Sequence, residues 1–208
     1  PLLESLSTRM KTRVAVRAID GVATAPAPFA GVAAISAGDN AGETVEWLLR
    51  HGAGEVLVLP KNAPNPTRVF IHWTDEAVRR ATLAVSASLL RHVTAEAVYL
   101  GIVAEGDTGV GRAAPMRKLL DARSEAQQAH GLEMRTELAI GETVSELTRN
   151  LSAGATQMLV LGICDITQAG TAYRSLLAAQ PGWPVLIVYR FNKAGPGTDA
   201  RGAPEIAA

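Results

Sequence analysis

The sequence predicts an α/β fold: an open, parallel, five-stranded sheet with helices on both faces, preceded by an abbreviated unit related to it. Three observations predict it. Strand-like apolar runs alternate with helical patterns between residues 68 and 189, which is the mark of successive βαβ units. Several runs are apolar throughout, such as Met158-Leu159-Val160-Leu161 and Val185-Leu186-Ile187-Val188, as expected of strands covered on both faces. The chain also repeats itself. Gly42-Glu43-Thr44-Val45 recurs as Gly141-Glu142-Thr143-Val144, and Leu48 and Arg50 match Leu147 and Arg149. After an insertion of Leu151, Ser152 and Ala153, Gly52-Ala53 matches Gly154-Ala155 and Leu57-Val58-Leu59 matches Leu159-Val160-Leu161, giving eleven identities over eighteen aligned pairs. Each copy reads as a turn, a helix, a Gly-Ala break and a short buried strand.

Taken in order, residues 2–10 read as a short helix or a frayed lead-in. Arg13-Val14-Ala15-Val16-Arg17-Ala18-Ile19 alternates like a strand with one polar face. A connection rich in Ala, Pro and Gly follows, then a strand at 31–35, the first copy of the repeat, and the proline-rich linker Lys61-Asn62-Ala63-Pro64-Asn65-Pro66. Residues 1–66 are thus the abbreviated unit and its linker. They leave no room for five strands, so the missing elements are dispensed with or supplied by the second unit.

Residues 67–190 form the full unit. Its first strand, Arg68-Val69-Phe70-Ile71-His72-Trp73, runs into Thr74-Asp75, where a hydroxyl or carboxylate caps a helix by accepting its free N–H groups. Val78, Ala81, Val85, Ser88 and Leu89 recur at three-to-four spacing and predict the buried face of that helix. A second strand at 97–103 leads into the glycine-rich loop 106–111. Pro115 suits the start of the next helix and Gly131 its end. A strand at 134–140, the second copy of the repeat, a helix near 173–179 and a strand at 184–189 complete the unit. Residues 191–208 read as a disordered tail, Gly- and Pro-rich from Ala194 and without periodicity.

Composition narrows the function. Of 208 residues 48% are hydrophobic and 19% charged, with 20 basic against 20 acidic side chains. The chain therefore has no net field to recruit nucleic acid or an anionic membrane. A lone cysteine, Cys164, excludes an internal disulfide. No apolar run reaches the ~18 residues of a membrane span. The expected setting is cytoplasmic. The chain starts at Pro1, so a larger parent protein, such as a membrane transporter, is an expectation.

Over residues 68–190 the sequence resembles the universal stress protein family. The resemblance rests on Asp75-Glu76-Ala77-Val78-Arg79-Arg80-Ala81 directly after the first strand and on Gly131-Leu132-Glu133-Met134-Arg135-Thr136. Gly141-Glu142-Thr143-Val144, Gly154-Ala155-Thr156-Gln157-Met158-Leu159-Val160-Leu161-Gly162 and Trp183-Pro184-Val185-Leu186-Ile187-Val188 complete it. It implies the sheet of the adenine nucleotide alpha hydrolase-like proteins, dimerisation through the last strand, and ATP binding in some members.

In the ATP-binding members the loop after the fourth strand brings glycine N–H groups to the phosphates. Here Gly162 is present, but Asp165 stands at the second glycine position, and only Ile166, Thr167, Gln168 and Ala169 separate it from Gly170-Thr171. His72 falls where the family has an aspartate, Trp73 is placed to fill part of the cleft, and Pro60 stands where Gly162 does in the other unit. The sequence is therefore read as a non-catalytic regulatory or dimerisation module with no cofactor. The alternative is a sensor of a small molecule or nucleotide held between the first and fourth strands by Thr74, Asp75, Gly162, Gly170 and Thr171. The partner expected is a second copy, or the first unit as a pseudo-dimer, through the strand Val185 to Val188. A transporter region of the same parent is the other expected partner.

Other signals read structurally. The loop Gly106-Asp107-Thr108-Gly109-Val110-Gly111-Arg112 lacks the dinucleotide order and puts Asp107 where phosphate would lie. Arg112, Arg117 and Lys118 nonetheless offer a basic rim to an acidic ligand. His51, His72, His92 and His130 form no pair spaced for metal. Asp165 beside Cys164 raises a thiol pKa and argues against a nucleophile. Ser145 and Ser175 have no histidine neighbour in sequence.

Overall fold

The structure, a computed structural model, describes residues 32–38, 40–104, 113–152, 156–166, 173–174, 176–177 and 182–190. The strand expected at 13–19, the glycine-rich loop 106–111 and the tail 191–208 lie outside the described residues. The elements are β1 (Val32–Ser36), α1 (Ala41–Arg50), β2 (Glu55–Leu59), β3 (Arg68–Trp73), α2 (Glu76–Leu90), β4 (Glu96–Val103), α3 (Ala113–His130), β5 (Arg135–Ile140), α4 (Thr143–Ser152), β6 (Gln157–Ile163) and β7 (Val185–Tyr189). Residues 173–174 and 176–177 are also helical.

The seven strands of the described residues join one sheet in the order β1-β2-β7-β6-β3-β4-β5. This corrects the five-stranded expectation. The full unit does supply five mutually parallel strands, β7-β6-β3-β4-β5. The abbreviated unit then adds two more at the β7 edge. β1 and β2 are parallel, and β2 meets β7 antiparallel, with Leu57 opposite Leu186 and Val56 opposite Ile187. The Gly54 carbonyl accepts from the Tyr189 N–H at 2.7 Å, and Arg190 reaches Glu55 at 2.7 Å. Both sides of β7 are therefore occupied within the chain.

Alternation along the strands divides the interior into two cores. Val69, Ile71, Trp73, Tyr99, Met158 and Val160 face one way, toward Val78 and Leu83 of α2 and Leu119 and Ala122 of α3. Phe70, Val98, Leu100, Leu159, Leu161 and Ile187 face the other, toward α1, Leu147 and Leu151 of α4, and Tyr173. Every residue of β6 is buried, which explains its uninterrupted apolar sequence.

The helix ends lie close to where the sequence marks them, with Pro115 in the first turn of α3, which begins at Ala113. Asp75 caps α2, its carboxylate accepting from the Ala77 N–H at 2.7 Å. Gly131, with φ +62°, carries the chain out of α3, where a side chain would be strained. The face of α2 turned to the sheet, however, is Val78, Thr82, Leu83, Ser86, Ala87 and Leu89, while Ala81, Val85 and Ser88 lie at its margin. Polar residue type masked Thr82, which is fully buried because its hydroxyl donates to the Val78 carbonyl at 2.9 Å. The repeated Gly-Glu-Thr-Val also adopts two local structures. Gly42 lies inside α1, whereas Gly141 precedes α4 with φ +149°.

Candidate functional site

The strand order of the full unit reverses between β3 and β6: the chain moves outward from β3 through β4 to β5, then returns to β6 and β7. In sheets of this kind ligands bind outside the carboxyl ends of the strands at that reversal. Thr74, Asp75 and Gly162 meet there. Gly170 and Thr171 lie outside the described residues, as does Ser175.

The groups at this reversal are already engaged. The Thr74 N–H donates to the Gly162 carbonyl at 3.0 Å, and the Thr74 hydroxyl reaches the same oxygen at 3.4 Å. Gly162 lies against α2: a Cβ there would overlap the Thr82 hydroxyl and come 3.0 Å from the Trp73 Cβ. Its lack of a side chain thus serves helix-to-sheet packing. Asp75 spends its carboxylate on the α2 N-terminus, where a phosphate would otherwise find N–H donors. Burial pushes the Cys164 thiol pKa up, and the carboxylates of Asp75 and Asp165 push it further. The site carries negative charge and keeps that thiol protonated.

On the other side of β3 lies a cleft of about 510 Å³. Its lining includes His72, Trp73, Tyr99, Gly101, Lys118 and Leu138. Trp73 on β3 and Tyr99 on β4, which lies opposite Ile71, stack diagonally with centroids 4.0 Å apart and planes 9° from parallel. Burial raises the Tyr99 pKa to about 12, so it stays a phenol. His72 is 7% exposed, and its Nδ1 lies 2.8 Å from the Leu100 carbonyl. A carbonyl only accepts, so Nδ1 carries the hydrogen and Nε2 keeps the lone pair. Burial lowers the His72 pKa, which favours this neutral form.

Sequence reasoning set Trp73 in the cleft between β3 and β6; its Cβ does lie against Gly162 of β6, while its ring stacks on Tyr99 of β4, a neighbour that sequence reasoning did not name, nor did it name Gly101 and Leu138. Gly101, a glycine inside a strand, was the available signal of close approach. The remaining histidines are scattered. His51 ends α1 and stacks on Trp47 at 4.3 Å, His92 follows α2, and His130 ends α3. Among the described residues no cluster of His, Cys, Asp and Glu is arranged to hold a metal. Ser145 donates to Glu142 at 3.1 Å. Among the described residues no helix is long and apolar enough to cross a membrane.

The sequence matches no family profile and no curated protein. In structure the chain is similar to a universal stress protein from Archaeoglobus fulgidus DSM 4304, with a TM-score of 0.54 at 12% identity. That match covers 77% of this chain and 61% of the other, so this chain spans less than two thirds of that protein's length. It is also similar to the universal stress protein from Archaeoglobus fulgidus in complex with dAMP, with a TM-score of 0.47, 14% identity and coverage of 60% of this chain and 99% of that one. A third similar structure is a universal stress protein in complex with cAMP, with a TM-score of 0.45, 18% identity and coverage of 60% and 98%. The chain has the universal stress protein fold.

Proposed function

We propose that this chain is a non-catalytic regulatory module in which the β3–β6 cleft does not hold a nucleoside triphosphate. The observation that carries this reading is the engagement of Thr74, Asp75 and Gly162 with one another and with α2. A triphosphate there would have to displace the Asp75 cap and approach the Asp75 and Asp165 carboxylates. The same engagement disfavours the alternative, a sensor holding its ligand on Thr74 and Gly162. The raised thiol pKa of Cys164 supports the absence of a nucleophile at this end.

The test is a thermal-shift panel of ATP, ADP, AMP and cyclic dinucleotides, with and without magnesium. A ligand at about a hundred times its dissociation constant stabilises a fold by about 2.7 kcal/mol, so the expected absence of any ATP shift is easily read. A magnesium-dependent ATP shift lost on Thr74→Ala contradicts the reading.

The antiparallel β2–β7 pair supports a pseudo-dimer arrangement in which the abbreviated unit takes the place of a second copy. Sedimentation at the mass of one chain is the expected result, and a dimer contradicts it. The reading extends to a cytoplasmic part of a membrane transporter. Fractionation of the full-length gene product checks this: recovery with the membranes is expected, and recovery in the soluble fraction contradicts it.

A further inference from the structure

The two faces of β1 are not equally covered. Ala33 and Ile35 lie half-buried on the α1 side, whereas Val32, Ala34 and Ser36 on the opposite face are exposed, Val32 by 54%. We propose that this exposed face is a docking surface for the chain's own N-terminal segment, residues 2–10, packed as an amphipathic helix beside α2. The proposal goes beyond the regulatory reading and does not depend on it.

The surface has the register and the neighbours of a place in the helical layer. Val32, Ala34 and Ser36 stand opposite Glu55, Leu57 and Leu59 of β2, so they share the sheet face that α2 and α3 pack against. On that face α2 lies over β3, β6 and β7, and α3 over β4 and β5. Among the described residues no helix continues this layer over β1. Arg79 and Arg80 of α2 reach Glu125 of α3. Ala81, Val85 and Ser88, all half-buried, therefore lie on the other flank of α2, toward the β2 side of the sheet. Parallel strands such as β1 and β2 are covered on both faces, and Val32, Ala34, Leu59 and Val85 give this place an apolar frame.

Residues 2–10 lie outside the described residues, and their sequence, Leu2-Leu3-Glu4-Ser5-Leu6-Ser7-Thr8-Arg9-Met10, suits the surface. At about 100° per residue, Leu2, Leu3, Leu6 and Met10 fall within about 100° of one another, and Thr8 lies opposite them. A helix over residues 2–10 is about 13 Å long, close to the ~17 Å of a five-residue strand. The segment is joined to β1 itself through residues 11–31. That tether gives it an effective concentration on the order of millimolar, which favours it over a second copy or a free partner.

Methyl NMR of the full chain with labelled Ile, Leu and Val tests the proposal. The expected result is contact between the Leu3 or Leu6 methyls and those of Val32, Leu59 or Val85. Leu6→Asp puts a charge in the apolar stripe, and Thr8→Asp puts the same charge opposite it. Leu6→Asp should abolish the contacts and raise the unfolding constant in urea by about tenfold or more, while Thr8→Asp should change neither. The proposal is overturned if the wild type shows no such contacts, or if the two variants behave alike. It is also overturned if the Leu6 methyls instead meet Leu120 of α3 or Ile140 of β5, which are exposed apolar side chains elsewhere on the sheet. Isotope-filtered spectra of mixed labelled and unlabelled chains separate contacts within a chain from contacts between copies. Contacts between copies would assign the face to a second chain and overturn the proposal as well.

Discussion

At Gly162 the sheet and α2 are packed without room for a side chain, since an added Cβ would overlap the Thr82 hydroxyl. Gly162→Ala is expected to lower stability by about 1–3 kcal/mol through overpacking. Adding Thr82→Ala removes the overlapping atom, so the double variant should be more stable than the sum of the two single effects. Urea unfolding of the four chains checks this. His72 leads to a pH effect. Its folded-state pKa lies below the ordinary 6.5 because burial disfavours the imidazolium. Above that value both folded and unfolded states hold it neutral. Below it the unfolded chain takes up a proton that the folded chain resists, so stability is lost as pH falls from about 6.5 toward the folded pKa. Thermal melts between about pH 7.5 and 5 should show a steeper loss for the wild type than for His72→Gln, and parallel curves would contradict this. The Asp75 cap was legible because capping is local. The Trp73–Tyr99 stack was not, because it depends on which strand lies beside β3.

Among the elements, β2 and β7 hold the abbreviated unit to the full one. Leu57, 4% exposed and opposite Leu186, belongs to the core shared with α2 and α3. Leu57→Ala should cost about 2–4 kcal/mol. The Arg190–Glu55 ion pair in the same place has side chains 45% and 17% exposed, and Arg190→Ala should cost less than about 1 kcal/mol. Chemical denaturation separates the two, and equal effects would mean that charge rather than burial joins the units. The strands from β3 onward were legible to within about two residues because each is an apolar run bounded by turn signals. The α2 face was misjudged by one helical step, since a buried threonine satisfied by its own helix reads as polar. The antiparallel β2–β7 pairing was not legible in direction or register. It links segments about 130 residues apart, and local patterns carry no record of such a neighbour.

At the scale of the molecule, the described residues form one seven-stranded sheet with β1 and β5 as its outer strands. On β5, Arg135 bridges to Glu96, and Glu137 bridges to Arg68, which also holds Glu96. Charges of this kind discourage pairing with another sheet. The strand the family resemblance marks for dimerisation is enclosed by β2 and β6, while the reversal between β3 and β6 is closed by its own capping and packing. On these two features rests the proposal of a module that neither pairs through β7 nor holds a triphosphate. Native mass spectrometry of the protein in millimolar ATP and magnesium tests both parts at once. The account expects the mass of a single chain without nucleotide. A dimer, or a chain carrying ATP, would contradict it.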